Sequence, residues 1–235
     1  MTLRGAWDDQ AENWLRWART PGHDSYWRFH GSRFVELVPP PGRLTIDVGA
    51  GEGRLSRDLR RRGHSVIAID ASYSMARACA TGEEPTSAVV ADAARLPLRN
   101  EVADIAVAFM SLQDIDDLES AVLELGRVLT PGGRLCVAVV HPINSAGRFE
   151  GERGDATRPF VIRGSYFERG RYVDDVERDG LPMRFKSEHR PIETYSKSLE
   201  AAGFSIDALR EVTEPDPADV WHRLPLFLHI RATRR

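Results

Sequence analysis

Short apolar runs alternate with amphipathic stretches over residues 44–140, and each run has the length of a single strand. The runs contain few polar residues, as parallel strands do when both faces of their sheet are covered. Five of them predict strands: LTIDVGA, SVIAID, TSAVVAD, VADIAVAFM and GRLCVAVV. The stretches between them have helical spacing of apolar positions, notably RLSRDLRRRG, SYSMARACAT and residues 115–129. This alternation predicts an α/β fold with a parallel sheet and right-handed crossovers.

The pattern changes after His141. Residues 142–190 are rich in charge and glycine, and the alternating segments FVIRGSYF and LPMRFKSE predict strands of a small antiparallel cap insertion. The segment IETYSKSLEAAGF then predicts a helix, followed by two late strands, SIDALREV and LPLFLHIRA. Pro131–Gly133 predicts a turn before the fifth strand. We expect one domain over residues 1–235, with the cap at 142–190.

Residues 1–40 contain four of the five tryptophans, and Trp7, Trp14 and Trp17 fit one face of a helix. Two interpretations are open at this point. The helix could pack on the sheet edge with large side chains, or it could form a lid that closes over a ligand. Because a lid also needs an apolar underside, the two interpretations overlap.

Composition and charge limit the classes of function. The chain has 235 residues and a formal net charge of −3, so it lacks the positive field of a nucleic-acid binder. No apolar run approaches the roughly 18 residues of a membrane span, and the amino-terminal residues do not resemble an export signal. Cys79 and Cys136 lie in apolar contexts without a CxxC partner, which favours reduced core thiols and a cytoplasmic location.

The segment TIDVGAGEGR places Gly49, Gly51 and Gly53 at the end of the first predicted strand. Such a strand-to-helix turn lets a ligand approach the backbone. Dinucleotide oxidoreductases favour G-x-G-x-x-G, whereas this spacing is G-x-G-x-G. Asp47, two residues before the first glycine, suits a cationic amino group better than a pyrophosphate.

Two more aspartates end the next two predicted strands. Asp70 follows the second strand, where a carboxylate can accept hydrogen bonds from both ribose hydroxyls. Asp92 follows the third strand, where it can accept a hydrogen bond from the exocyclic amine of adenine, and Ala71 and Met75 could line the adenine faces. All these positions lie at the carboxyl edge of a parallel sheet, which is the expected ligand crevice.

With these motifs in place, the chain resembles the class I S-adenosylmethionine-dependent methyltransferases, of the small-molecule type that includes ubiquinone-biosynthesis-like enzymes. The motifs D-x-G-x-G-x-G at Asp47–Gly53, D-x-S-x-x-M at Asp70–Met75 and ADAARLPL carry the resemblance. It implies S-adenosyl-L-methionine as cofactor and S-adenosyl-L-homocysteine as product. It also implies a Rossmann-like seven-stranded sheet of order 3-2-1-4-5-7-6, with strand 7 antiparallel. The cofactor-binding residues that we expect are Trp14, Asp47, Gly49, Ala50, Gly51, Gly53, Asp70, Ala71, Met75, Asp92, Ala93 and Phe109.

Methyl transfer from a sulfonium is an in-line displacement, so the protein must align the reactants, exclude water and manage one proton. His141, after the fifth strand, and Asp114, after the fourth, are candidate catalytic bases. Each has an alternative: His141 could be a strand-end turn residue, and Asp114 could cap the following helix. His189 in the cap region is a further candidate. Gln113 and Asp114 stand where many relatives carry paired histidines, so the acceptor stays open among O, N and activated C.

Other classes are less consistent with the sequence. The scattered histidines show no metal-ligand spacing, so we expect no metal. An NAD(P)-linked oxidoreductase would share Asp70 but not the glycine spacing. A module that binds the cofactor without transferring methyl remains an alternative, because glycines and acids report binding rather than turnover. We expect a small, partly apolar acceptor, no nucleic acid, no membrane, and a homodimer as one open assembly.

Overall fold

The computed structural model describes residues 2–152 and 154–235, so Met1 and Arg153 lie outside the account that follows. Its strands, in chain order, are β1 (Thr45–Val48), β2 (Val66–Asp70), β3 (Ser87–Val90), β4 (Ala103–Phe109), β5 (Leu129–Val140), β6 (Arg148–Phe149), β7 (Phe160–Val161), β8 (Gly170–Arg178), β9 (Leu181–His189), β10 (Phe204–Val212) and β11 (Phe227–Arg234). Its α-helices are α1 (Leu3–Arg19), α2 (Gly31–Val35), α3 (Arg54–Arg61), α4 (Tyr73–Thr81), α5 (Leu118–Val128), α6 (Pro142–Ala146) and α7 (Ile192–Ala201). A π-helical turn, Tyr26–His30, leads directly into α2.

One seven-stranded sheet has the order β10-β11-β5-β4-β1-β2-β3. Its central strands pair in parallel, whereas β11 runs antiparallel to both β5 and β10. This confirms the expected order, with β11 as the antiparallel seventh strand of the family. Every residue of β1 is buried, as the near-continuous apolar sequence predicted.

Each face of the sheet has its own core. On one face, Leu125 of α5 and Leu199 of α7 pack with Ile46 and Val137 of the sheet. On the other face, Phe34 of α2 and Leu55 and Leu59 of α3 pack against Val107 and Phe109 of β4. The two helical layers hold the strands in place, so the carboxyl ends of β1, β2 and β4 form a fixed edge.

The Pro131–Gly133 segment differs from its prediction as a turn outside the strand. Strand β5 begins at Leu129, which pairs with Ala103 of β4, and the regular ladder resumes where Arg134 pairs with Ile105. The segment therefore bulges out of a continuous strand. The proline and glycines interrupt the pairing without ending the strand, because Leu129 is fully buried at its start.

The cap insertion also differs in part. LPMRFKSE lies in β9 as predicted, but its partner is β8, a segment that the sequence pattern did not predict. Of FVIRGSYF, only Phe160–Val161 forms a strand, and it pairs with the short β6. Asp179 and Gly180 connect β8 to β9 with φ of 51° and 73°. Positive φ at both central residues is the geometry of a two-residue hairpin turn.

Helix α1 packs against β9 of the hairpin and against α4. Trp7 and Trp14 contact each other edge to face at 5.6 Å, and both contact Phe185 of β9. The predicted aromatic helix is therefore present, but it lies against the cap hairpin rather than the sheet edge. Among residues 2–152 and 154–235, no helix has both the length and the apolarity to cross a bilayer.

Candidate cofactor and acceptor site

A cavity of about 880 Å³ opens at the carboxyl edge of the parallel strands. Residues at the ends of β1, β2, β4 and β5 line its floor: Val48, Asp70, Phe109 and Val140. Helix α1 and the β8–β9 hairpin cover it, through residues such as Trp14 and Phe185. The cavity thus lies between the sheet edge and the two elements outside the central βα repeat.

The glycine turn has left-handed backbone at all three glycines, with φ of 71°, 58° and 90° at Gly49, Gly51 and Gly53. A Cβ at Gly49 would overlap the side chain of Ser111, so this position has no room for a larger residue. A Cβ at Gly51 would lie 3.3 Å from Trp14 Nε1. The turn therefore brings bare backbone to the cavity wall, and a ligand there would contact peptide groups directly.

Asp47 is buried beneath this turn and accepts a 2.6 Å hydrogen bond from Ser56 Oγ. Burial raises the pKa of its carboxyl to about 7, against the hydrogen bond from Ser56, and the nearby Asp70 raises it further. A buried carboxyl without a cation is held close to its neutral form. A ligand ammonium at this end of the cavity would supply the missing charge.

Asp70 holds the glycine turn together. Its Oδ2 accepts a 2.7 Å hydrogen bond from Gly51 N, and its Oδ1 accepts one of 2.9 Å from Ser72 N. Burial raises the pKa of Asp70, although the two backbone N–H donors oppose this. Because a carboxylate oxygen has two lone pairs, each oxygen of Asp70 can still accept one hydrogen bond from a ligand hydroxyl. Ser72 Oγ is buried and has no hydrogen-bond partner among the described residues, which leaves it free for a ligand group.

One end of the cavity is lined by small apolar side chains and one aspartate. Met75 and Ala93 are buried and line it together with Ala71. Asp92 Oδ1 accepts a hydrogen bond of 2.9 Å from Ala94 N, which fixes the carboxylate at the end of the wall. The chemistry of this end fits a flat heterocycle with one amino group.

Eleven of the twelve residues expected to bind the cofactor line this one cavity: Trp14, Asp47, Gly49, Ala50, Gly51, Asp70, Ala71, Met75, Asp92, Ala93 and Phe109. Gly53 does not line it. Instead Gly53 is the N-cap of α3, and a Cβ there would collide with Cys79 Sγ. Its role in the turn is therefore close packing of the α3 start on α4.

Arg54, the first residue of α3, connects α1 and the segment that follows it to the glycine turn. Its guanidinium lies 4.8 Å from the Trp14 ring centroid and 4.3 Å from that of Tyr26. It also donates a 2.6 Å hydrogen bond to Asp24, and both charged side chains are largely buried. Stacking between two aromatic faces and pairing with a carboxylate fix this cation in the cavity wall.

A second ion pair ties α1 to the same turn. Glu52, which is almost fully buried, accepts hydrogen bonds from Arg57 at 2.7 and 2.8 Å and from Arg19 at 3.2 Å. Arg19 is the last residue of α1. The end of the covering helix is therefore attached to the loop that would contact the cofactor.

The cavity also reaches residues of the amino-terminal segment and of the region around β10 and β11, and this part is called here the acceptor chamber. Its lining includes Arg28, His30, Glu214, Trp221 and Phe227. Arg28 donates a hydrogen bond of 2.5 Å to the buried Glu214. The chamber therefore combines aromatic faces with an internal ion pair, and none of these residues was singled out in the sequence.

Asp114 lines the cavity as one of the two predicted catalytic candidates. It accepts a 2.6 Å hydrogen bond from Ser187 Oγ, and burial raises its pKa to about 7 despite Ser187 and Arg190. The alternative assignment as a helix cap is wrong, because Asp117 caps α5 by accepting a hydrogen bond from Ser120 N. Asp114 therefore faces the ligand space rather than a helix end.

His141 is not part of the cavity lining. Its Nδ1 accepts a hydrogen bond of 3.1 Å from Ile143 N at the start of α6, and its Nε2 lies 3.3 Å from Glu211 Oε1. These contacts match the alternative that the sequence left open, a residue of the strand-end turn. His189 is also engaged on both nitrogens, by Ser145 Oγ at 2.7 Å and Tyr166 O at 2.8 Å.

Residues 46–137 match the family model of a methyltransferase domain. A demethylmenaquinone methyltransferase of Thermobifida fusca is 33% identical over 149 residues, which cover 60% of this chain and 62% of that protein. A demethylmenaquinone methyltransferase of Mycolicibacterium paratuberculosis is 35% identical over 116 residues, 49% of each protein. The chain thus matches about half to three fifths of the length of these curated relatives.

Among solved structures, an S-adenosylmethionine-dependent methyltransferase from Mesorhizobium loti superposes with a TM-score of 0.71 and 25% identity. That likeness covers 90% of this chain and 98% of the other. Because 90% of this chain is covered, the likeness reaches beyond the central βα repeat. The matched domain therefore lies within a sheet of the order found in S-adenosylmethionine-dependent methyltransferases, and residues 46–137 carry a methyltransferase domain.

Proposed function

We propose that this protein transfers the methyl group of S-adenosyl-L-methionine to a small molecule bound in the acceptor chamber. One observation carries the proposal. A single cavity joins the rim of three strand-end aspartates, Asp47, Asp70 and Asp92, to a chamber with aromatic walls. A donor held at the rim would therefore face an acceptor across Phe109.

The rim residues fit the donor group by group. Asp47 would pair with the amino group of the methionine moiety, Asp70 would accept from the ribose hydroxyls, and Asp92 would accept from the adenine amine. When bound, S-adenosylmethionine supplies a methyl group on a sulfonium that is ready for displacement. The protein contributes alignment and the exclusion of water, for which Trp14 and Phe185 form an apolar cover.

The acceptor is a separate question from the donor. The family model matches residues 46–137, whereas Arg28, His30, Trp221 and Phe227 of the acceptor chamber lie outside that range. The substrate in the names of the curated relatives is therefore not carried over. We propose an acceptor with a planar ring and a polar group, because aromatic faces favour a flat partner and the Arg28–Glu214 pair offers both charges.

The expectations of a small-molecule partner, a cytoplasmic location and a homodimer stay predictions alongside this proposal. A catalytic role for Asp114 also stays a prediction. The pKa of its carboxyl is raised to about 7, so the carboxylate could accept a proton near neutral pH. A non-catalytic module that only binds the cofactor is the second candidate. The only observation in its favour is that the rim residues indicate cofactor binding and not turnover.

Incubation of the purified protein with methyl-labelled S-adenosylmethionine and a metabolite extract tests the proposal. We expect the label to move to one or a few small molecules that are separable by chromatography, and to depend on the intact rim. A matched sample of Asp47→Asn should lose transfer. If the protein binds S-adenosylhomocysteine but moves no label into any extract fraction, the binding-module candidate replaces the enzyme.

A further inference from the structure

Two buried histidines from opposite ends of the chain meet at the wall of the acceptor chamber. His30 ends the π-helical turn, His229 lies in β11, and their Nε2 atoms are 2.8 Å apart. Both side chains are almost fully buried. A contact this short between two ring nitrogens requires one hydrogen between them, so one ring donates and the other accepts.

Aromatic rings fix the position of His30. Phe227 stacks on it with centroids 3.7 Å apart and planes 8° apart, and Phe109 lies 4.6 Å away on the side of the β4 end. His30 and Phe109 line the same cavity. The imidazole is therefore held in the cavity wall against Phe109, at the carboxyl end of β4.

Only one nitrogen of His30 is used inside the protein. Nε2 is engaged by His229, and in the part of the chain that the structure describes no protein group forms a hydrogen bond with Nδ1. If the shared hydrogen sits on His30 Nε2, then Nδ1 has a free lone pair. This tautomer makes His30 a proton acceptor with a fixed ring and a neutral hydrogen-bond partner behind it.

We propose that His30 is the catalytic base for methyl transfer to an acidic hydroxyl such as a phenol, and that His229 is its positioning residue. The inference rests on the proposed function. The acceptor O–H bond breaks as its proton goes to His30 Nδ1, and the oxygen electron pair forms the new O–C bond. The S–C bond breaks with its electrons staying on sulfur, which gives S-adenosylhomocysteine and an imidazolium that donates to His229 Nε2.

The charged groups and the burial around His30 and His229 determine how acidic the acceptor hydroxyl must be. Burial, then His229 and Arg54, hold the pKa of His30 well below its usual range. Burial and Arg33 lower that of His229 to about 4. Arg28 on the same turn is compensated by Glu214. A neutral but weak base matches a hydroxyl of low pKa and would serve an aliphatic alcohol poorly.

The test uses two phenols of similar size at pH 8. 4-Ethylphenol keeps its proton at this pH, whereas 4-nitrophenol is already ionised and needs no base. The variants are His30→Gln and His229→Gln, with His64→Gln as control, because His64 is a buried histidine bonded to Thr45 outside the cavity. Methyl transfer is measured by mass spectrometry, and S-adenosylhomocysteine affinity by calorimetry.

We expect His30→Gln to lower the rate with 4-ethylphenol by about 100-fold or more and to leave the rate with 4-nitrophenol within about threefold of wild type. We expect His229→Gln to lower the 4-ethylphenol rate less, because the amide oxygen can still accept from His30 Nε2, and to leave the 4-nitrophenol rate unchanged. His64→Gln should match wild type with both phenols.

Equal losses with both phenols in His30→Gln would show a structural role and overturn the proposal. Unchanged rates in His30→Gln would also overturn it. If wild type binds S-adenosylhomocysteine but methylates neither phenol, the acidic-hydroxyl class is wrong while the cofactor site stands. If wild type does not bind S-adenosylhomocysteine, the proposed function itself has failed, so the two failures are distinguishable.

Discussion

At the scale of single residues, burial decides the chemistry of the carboxyl groups in this cavity. Asp47 is buried and Asp114 is half-buried, and desolvation raises the pKa of each to about 7 although each accepts a hydrogen bond from a serine. Desolvation therefore outweighs one neutral donor at both sites. Asp47 lies at the rim, where a cationic ligand would reverse its shift, whereas Asp114 lies under the hairpin and close to Arg190.

The raised pKa of Asp47 predicts a pH dependence of cofactor binding. A bound ammonium favours the carboxylate, so binding at pH 6 must release a proton from a group that is mostly protonated in the free protein. For a free pKa of about 7 this makes binding about tenfold tighter at pH 8 than at pH 6. Calorimetry with S-adenosylhomocysteine at the two pH values, in buffers of different ionisation enthalpy, measures both the affinity and the proton.

The control for that prediction is Asp47→Asn, which removes the titrating group while keeping the side-chain shape. We expect its weaker affinity to be nearly the same at pH 6 and pH 8. Equal wild-type affinities at both pH values, with no proton released, would mean that Asp47 does not face a cation in the complex.

The residues at strand ends could be read from the sequence, because parallel strands bring their carboxyl ends to one edge. Asp47, Asp70 and Asp92 therefore lie together as expected. His30 could not be read in this way. Its partner His229 is 199 positions away, and it sits in a π-helical turn that has no periodic signal. His141 follows a strand too, but its ring turns to cap α6.

At the scale of elements, two ion pairs attach the cover to the glycine turn. Arg19 at the end of α1 contacts Glu52, and Asp24 after α1 contacts Arg54. Exchange of the cofactor requires space between α1 and this turn, since a Cβ at Gly51 would already touch Trp14. The ion pairs therefore belong on the path of ligand release.

Breaking the more exposed of these pairs should speed release. Arg19 is about half exposed, so its pair with Glu52 contributes at most about 1 kcal/mol, which corresponds to about fivefold in rate. We expect Arg19→Gln to raise the dissociation rate of S-adenosylhomocysteine by about two- to fivefold in stopped-flow displacement. Arg16→Gln, which loses only an exposed pair with Glu12 on the same helix, is the matched control. The same rate in both variants would argue against α1 as a gate.

The cap hairpin shows why some strands could not be predicted from the sequence pattern. Strand β8 has few buried residues, with a pair of aspartates at its centre, so it lacks an apolar face to give alternation. The sequence signal for this hairpin is in the turn, because Asp179–Gly180 is typical of a two-residue hairpin connection. Strand β9 was predictable because Met183, Phe185 and Ser187 alternate on the side facing the cavity and core.

At the scale of the whole molecule, two sets of segments build the cavity, and each set lines a different part of it. The matched methyltransferase domain over residues 46–137 contains the three rim aspartates that line the cavity. The amino-terminal segment, the hairpin and the last strands supply the cover and the acceptor chamber. The fold, and the residues that line the rim part of the cavity, could therefore be predicted from sequence motifs. The acceptor chamber is built from contacts between residues far apart in the sequence, such as His30 and His229, so no local motif pointed to it.

The central claim is that the strand-end carboxylates hold the cofactor, and titration of S-adenosylhomocysteine into wild type, Asp70→Ala, Asp70→Asn and Asp207→Ala tests it most directly. Asp207 is the control because it pairs with Arg231 on β11, outside the cavity. The account predicts a loss of about 100-fold or more for Asp70→Ala, from hydrogen bonds to a charged group worth about 3 kcal/mol, with a smaller loss for Asp70→Asn and none for Asp207→Ala. Wild-type affinity in a folded Asp70→Ala protein, judged by thermal melting, would contradict it.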